Sequence, residues 1–315
     1  MLCIAYDYGF MELRQLRYLC SVVDEGTFTA AAAACSIAQP SLSQQILNLE
    51  QELGQTLLIR HSRRVELTEA GQAVVKRARL ILAESDSLRS DMERRTGLIE
   101  GTVTVGAIPT VAPYLLPEPI RRFHQKHPGV KIQVREGRTS RVLQELASGR
   151  IDFAIVSDVT ALDQDRLSLH IEELFHERLM LAAPENHPLT AHEAAVAIKD
   201  VPKHQFILLS EGHCLADQTL SVCRLRRTED HLECEQLETL LAMVRTGLGI
   251  AVVPEMAVLH STGQGIVLRP FKNPEPKRTI GIAKRRAGSL SPAASAFRTE
   301  FTAPAHPKTG RKTGS

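Results

Sequence analysis

The 315-residue chain has no apolar run approaching the roughly 18 residues that suggest a membrane span. Its opening stretch, MLCIAYDYGF, has neither a basic segment nor a small-residue cleavage site. A cytoplasmic location and no membrane partner are therefore expected. Cysteine is sparse: six in a chain of this length are far from the density of a secreted disulfide scaffold. Thiols are expected by default, and any disulfide would be transient or regulatory. Charge of one sign is lacking too, since 38 Lys and Arg against 36 Asp and Glu leave +2. A nucleic-acid function must then rest on where the basic residues sit. GxxxxGK and GxSxG sequences are missing, which removes the phosphate-loop and nucleophile-elbow readings, and no internal repeat is present.

What is there is 43% hydrophobic, enough to core two or three compact units. Residues 1–10 show no helical period and read as an extension. A winged helix-turn-helix is expected over 11–69, a linker and dimerisation helix over 70–100, and a two-lobed α/β effector domain over 101–303. Residues 304–315, PAHPKTGRKTGS, are polar, basic and rich in Pro and Gly, and are expected to be disordered.

In the first unit, an Ala-rich helix from Phe28 leads through a turn at Ser36–Ala38 into a second helix. There Leu42, Ile46, Leu49 and Leu53 recur at spacings of four, three and four, which predicts one buried face. Ser41, Ser43, Gln44, Gln45 and Asn48 supply short or amide side chains suited to base edges and phosphates. Gln39 and Pro40 fit the helix start, where free N–H groups meet a phosphate. An isolated helix of this kind has a merely solvated polar face. The following sequence, LLIRHSRRVELTEAG, alters the balance, because two β-like stretches flank a basic tip of Arg60, Arg63 and Arg64, as in a DNA-binding wing. A long helix is predicted from Thr68 to about Gly97. Its seam of Val74, Ala78, Ile81, Ser85, Leu88 and Met92 would bury poorly against one small domain and predicts a dimer.

From Gly101, β-rich runs (TVTVGAI, VKIQVRE, DFAIVS) alternate with helical lengths, which predicts a parallel sheet of βαβ units. ERLMLAAP, QFILLS, GIAVVP and RTIGIAKR are predicted as further strands. The stretch SEGHCLADQTLSVC places Cys214 beside His213 at a strand end, where a depressed thiol pKa is expected, and Cys223 nine positions on. A helix over 214–223 would hold the two Cα atoms about 13 Å apart, whereas a disulfide needs about 7 Å or less. A bond between them would require the segment to refold. Spacing alone is equally that of two small buried apolar residues. A zinc site from His213, Cys214, Cys223, His231 and Cys234 does not match paired-cysteine knuckles. Cys20 and Cys35 lie on predicted helices as structural thiols, and Cys3 and Cys234 have no evident partner.

LRQLRYL, QPSLSQQILNLEQELG and LLIRHSRRVELTEAG together resemble the DNA-binding domain of LysR-type transcription regulators. The resemblance implies double-stranded DNA and RNA polymerase as partners, a homodimer or homotetramer, and an effector domain similar to periplasmic binding proteins. AIPTVAPYLLP, GHCLADQTLSVC and QLETLLAMVRTGLGIAVVPEMAV resemble the peroxide-sensing OxyR subfamily. That likeness implies that Cys214 is the peroxidatic and Cys223 the resolving cysteine, and that Thr110, Thr139, His213, Asp217 and Arg278 support the reactive sulfur. It also implies reduction by glutaredoxin or thioredoxin, and it calls for neither enzymatic turnover, cofactor nor metal. Three departures stand out. Ala38 replaces a capping Ser or Thr, Ala32 a commonly more polar residue, and Ala216 an arginine that would favour the thiolate. A regulator answering a small metabolite and a thiol enzyme are the alternatives.

Overall fold

The computed structural model describes residues 11–61, 64–93, 99–192, 194–226, 231–259, 265–272, 274–286 and 289–301. The predicted extension at 1–10, Arg63, Gly97, the side chain of Met92 and the tail at 304–315 lie outside the described residues. Contacts divide the chain into two units, with the break between Gly97 and Leu98. No described helix is long and apolar enough to cross a membrane.

The first unit comprises α1 (Leu13–Glu25), α2 (Phe28–Ala34), α3 (Gln39–Leu53), β1 (Leu58–Arg60), β2 (Val65–Leu67) and α4 (Glu69–Glu93). Local chemistry sets the boundaries. The Thr27 hydroxyl accepts the Ala30 amide at the start of α2, and Thr68 accepts the Gly71 amide at 2.9 Å at the start of α4. At α3 the cap position is Ala38, whose side chain accepts nothing, and Pro40 occupies the first turn. Leu42, Ile46 and Leu49 are buried with Leu16, Leu19 and Leu57 in one apolar cluster. Leu53, expected on the same face, is 37% exposed. It is the last helical residue before Gly54, where the chain turns off in the left-handed conformation, and the cluster does not reach it. β1 and β2 pair antiparallel as the wing, with Leu58 opposite Leu67. Along α4, Ala78 is buried in the cluster, whereas Ile81 and Leu88 are exposed, Leu88 to 65%.

The second unit has two lobes. Lobe I is laid down by β3 (Gly101–Ala107), α5 (Ala112–Leu115), α6 (Pro117–Lys126), β4 (Val130–Glu136), α7 (Thr139–Ala147), β5 (Phe153–Ser157) and α8 (Ala161–Arg166). The chain crosses to lobe II along the 16-residue β6 (Leu169–Pro184). Lobe II holds β7 (Val196–Ala197), β8 (Ile207–Leu209), α9 (Cys214–Cys223), β9 (Leu232–Cys234), α10 (Leu237–Arg245), β10 (Ala251–Pro254), α11 (Glu255–Leu259) and β11 (Ile266–Lys272). The return is β12 (Lys277–Arg285), followed by α12 (Pro292–Arg298).

The predicted parallel sheet is realised only in part. β3 is parallel to β4 and β5, but β12 is antiparallel to β5 and β6, and β10 and β11 are antiparallel to β6. The reason is connectivity: β6 leaves lobe I and β12 comes back beside it, so the two must run in opposite senses. Phe123, Phe153, Phe297 and Phe301 interlock in the core of lobe I, with the Phe123 and Phe297 ring centroids 5.0 Å apart. A second cluster, built on Leu181, Phe206, Leu241, Val244 and Val252, fills lobe II. Burying each such side chain contributes about 1.5–3 kcal/mol.

Candidate functional site

β8 ends at Leu209, and the Ser210 amide then bonds the Cys234 carbonyl at 2.9 Å, tying the next loop to β9. Gly212, at φ +88°, permits the tight loop. His213 caps the helix in extended conformation, and α9 begins at Cys214. A thiol here faces the N-terminal end of a helix, which favours negative charge.

Cys214 is half-buried and packs against the apolar cluster of lobe I. Cys223, at the other end of the same helix, is buried in the cluster of lobe II. Nine residues of helical rise separate them by about 13 Å, so the helical spacing anticipated from the sequence holds. The expected depression of the Cys214 pKa does not. Burial pushes the thiol above its ordinary value; Arg278, Thr139 and Thr110 pull it back, and Asp158 adds to the rise. Burial also pushes Cys223 up to about 12.

Three expected supporting residues converge. Arg278 is closed off from solvent, and its Nη1 donates to Thr110 Oγ1 at 2.9 Å and Nη2 to the Thr110 carbonyl at 3.0 Å. Its Nε donates to Glu177 at 2.7 Å, and the other Glu177 oxygen accepts the Met256 amide at 2.8 Å. Arg278 is thereby aimed at the site by both lobes. The Thr139 hydroxyl, on the first residue of α7, is buried and faces the Cys214 thiol, whose pKa it lowers. It is a donor directed into the site.

Two expected residues stand differently. His213 is buried, but its Nε2 lies 3.6 Å from the Glu235 carboxylate and has no hydrogen-bond partner among the described residues. Asp217, in the first turn of α9, is exposed. The carboxylate acting on the sulfur is instead Asp158, at the end of β5. Held at φ +47°, it accepts the Thr279 amide at 2.8 Å and the Gln218 side-chain amide. Ala216 is buried in lobe II, so that position offers the sulfur no cation and Arg278 supplies it.

Beside this site a cavity of about 520 Å³ is lined by Pro109, Tyr114, Arg138, Arg141, His213, Glu235 and Glu238 among others. Two side-chain contacts cross its rim. Arg138 donates to Glu235 at 3.0 and 3.1 Å, and the Tyr114 hydroxyl donates to Glu238 at 2.8 Å.

In the first unit, Gln39, Pro40, Ser41 and Gln44 are exposed along α3, while Ser43 and Gln45 are half-buried. Gln44 donates to Asn48 at 2.9 Å. Arg60, expected at the wing tip, stays exposed but lies back against the helices: it donates to Ser43 at 3.0 Å, and its guanidinium lies 4.8 Å from the Phe28 ring centroid. Arg64 is exposed and paired with Glu66 at 2.6 Å.

The family described as bacterial regulatory helix-turn-helix protein, lysR family, matches residues 13–72, and the LysR substrate binding domain family matches residues 96–304. The chain belongs to the LysR family. Among LysR-family relatives, the DNA-binding transcriptional dual regulator OxyR of Escherichia coli K12 is 38% identical over 283 residues, covering 89% of this chain and 91% of the relative. A full-length OxyR variant from Pseudomonas aeruginosa superposes with a TM-score of 0.77 at 32% identity, covering 93% of this chain and 94% of that one. A hydrogen-peroxide-bound OxyR mutant of Corynebacterium glutamicum gives 0.57 at 27% identity, covering 94% and 91%.

Reading the sequence of this LysR-family chain missed Asp158, Glu177, Gln218 and the Arg138–Glu235 pair. Glu177 had a signal, a lone carboxylate at the head of the apolar run ERLMLAAP in line with a β-strand. Asp158 follows the apolar strand FAIVS in the same way. Nothing local marks Arg138 and Glu235, which meet only because the two lobes do.

Proposed function

We propose that this chain is a peroxide-responsive transcription regulator that binds double-stranded DNA through α3 and the wing. The observation that carries the proposal is the setting of Cys214, at the head of α9 and ringed by Thr110, Thr139 and Arg278. In the first step the Cys214 thiolate attacks one peroxide oxygen and the O–O bond breaks. The sulfur becomes a sulfenic acid, and the departing hydroxide takes a proton to become water. Thr139 and Thr110 hold the peroxide oxygens by hydrogen bonds, while Arg278 stabilises the anionic sulfur. The Cys223 thiol then attacks the sulfenic sulfur, and a second water leaves as the disulfide forms. Two thiols have supplied the two electrons that convert the peroxide to water. Since α9 as a helix keeps the sulfurs apart, the second step unwinds it.

Residues 70–100 act as the linker and dimerisation helix in this scheme. The exposed Ile81 and Leu88 are the seam of a homodimer, with a homotetramer as the larger assembly. The unwound α9 alters the pairing of effector domains and so the spacing of the α3 helices on DNA. RNA polymerase reads the result, and glutaredoxin or thioredoxin reverses it. A second reading is favoured by the cavity of about 520 Å³, in which a small metabolite between the lobes is the signal. The experiment is promoter binding and transcription with and without peroxide for the wild type, Cys214→Ser and Cys223→Ser. Loss of the peroxide response in both variants is expected. A full response in Cys214→Ser would sink the redox mechanism and leave the metabolite.

A further inference from the structure

The guanidinium of Arg138 does more than line a cavity. Arg138 precedes Thr139, whose hydroxyl lies at the reactive sulfur, and its side chain runs across the loop that leads into Cys214. A Cβ placed on Gly212 would come within 3.1 Å of Arg138 Cδ. Beyond the loop, Arg138 reaches Glu235 at 3.0 Å. Glu235 directly follows Cys234, whose carbonyl accepts the Ser210 amide, and it also faces the buried His213 at 3.6 Å. Residues 210–213 are thus held from three sides: by β9 through the backbone, by Glu235 at His213, and by Arg138 over Gly212.

We infer that the Arg138–Glu235 ion pair is an inter-lobe latch over the loop before Cys214, and that it sets the rate at which the oxidised cysteine leaves its pocket for Cys223. The inference rests on the peroxide mechanism above and concerns its second step alone. Attack on peroxide takes place inside the ring of Thr110, Thr139 and Arg278, which the latch does not touch. Carrying the Cys214 sulfur toward Cys223 demands that the first turn of α9 unwind and that residues 210–213 come out from under Arg138. Both partners are substantially exposed, 45% and 66%. The pair is accordingly weak and screened by salt, which suits a contact that must open on each cycle. Arg138 and Glu235 are positioning residues.

The test follows the two steps separately in the full-length protein, treated with hydrogen peroxide. Sulfenic acid is trapped with dimedone in a Cys223→Ser background, and the Cys214–Cys223 bond is timed by mass measurement after alkylation. Glu235→Gln and Arg138→Gln should each speed bond formation by up to about fivefold, the upper range for an exposed ion pair, with the trapping rate unchanged. Arg138→Lys, which keeps the charge, should stay near the wild type. Added salt should speed bond formation in the wild type and leave it unchanged in Glu235→Gln. Equal bond-formation rates in the wild type and both Gln variants would overturn the latch, as would a change confined to the trapping step. Failure of the wild type to form the bond at all would overturn the peroxide mechanism itself.

Discussion

Arg278 and Glu177 form an ion pair sealed from solvent, with Nε 2.7 Å from the carboxylate and side chains 0% and 4% exposed. The cation that lowers the Cys214 pKa is therefore itself held by a buried anion, and neither can be removed alone without leaving a charge unpaired in the interior. Arg278→Ala is expected to cost about 3–5 kcal/mol. Replacing both residues by apolar side chains of similar volume should cost much less. Denaturant midpoints for the single and double variants check this, and equal losses would show that the pair does not act as a unit.

Peroxide reactivity should rise with pH. Because burial holds the Cys214 pKa above the ordinary thiol value, the thiolate is the minor form at neutrality. Its fraction grows about tenfold per pH unit until the pKa is reached. The rate of thiol loss to hydrogen peroxide in Cys223→Ser should follow that slope. Thr110→Val removes a group that favours the thiolate and should move the profile to higher pH. A flat profile between pH 6 and 9 would contradict it.

The sign for stability is the opposite. Cys223 is raised to about 12 when folded, against roughly 8.5 for an ordinary thiol. Between those values the unfolded chain loses a proton that the folded chain keeps, so the free energy of unfolding, and with it stability, falls as pH rises from about 9 toward 12. Cys223→Ala should flatten that part of the stability curve measured by denaturant titration.

Ala38→Ser should stabilise the helix-turn-helix unit by about 1 kcal/mol. The residue already has cap geometry, with φ −71° and ψ 137°, and lacks only the side-chain acceptor. A higher melting temperature of the DNA-binding unit is the readout.

Gly71→Ala should act in the other direction. The added Cβ would meet the Leu57 carbonyl oxygen at 2.1 Å, a contact with backbone that no rotamer relieves. A loss of about 1–3 kcal/mol, seen in the melting of the same unit, is expected, together with weaker DNA binding.

The helices and wing of the first unit were legible in the sequence because their apolar spacing, caps and stops are local properties. Ala38 without a cap was legible as a departure from the LysR-type pattern. Leu53 was not, since the spacing that sets a face says nothing about where the opposing surface ends. In the second unit the βαβ stretch was legible from β-rich runs and helical lengths. The first half of β6 was hidden by its charged residues, and β11 and β9 carry too little alternation to stand out. The two cysteines and the Thr110–Thr139–Arg278 group were visible through motif likeness. The direction of the Cys214 pKa was not, because burial depends on how closely lobe I approaches the start of α9, a property of tertiary packing.

Cys214 packs with the apolar residues of one lobe and Cys223 with those of the other. A covalent bond between them would therefore withdraw a side chain from one hydrophobic neighbourhood and commit it to another. Under the proposed mechanism the lobes would compete for a single sulfur, and oxidation would decide the contest by leaving lobe I with uncovered lining. Peroxide, a molecule too small to wedge two domains apart, would in this way alter the surfaces of both.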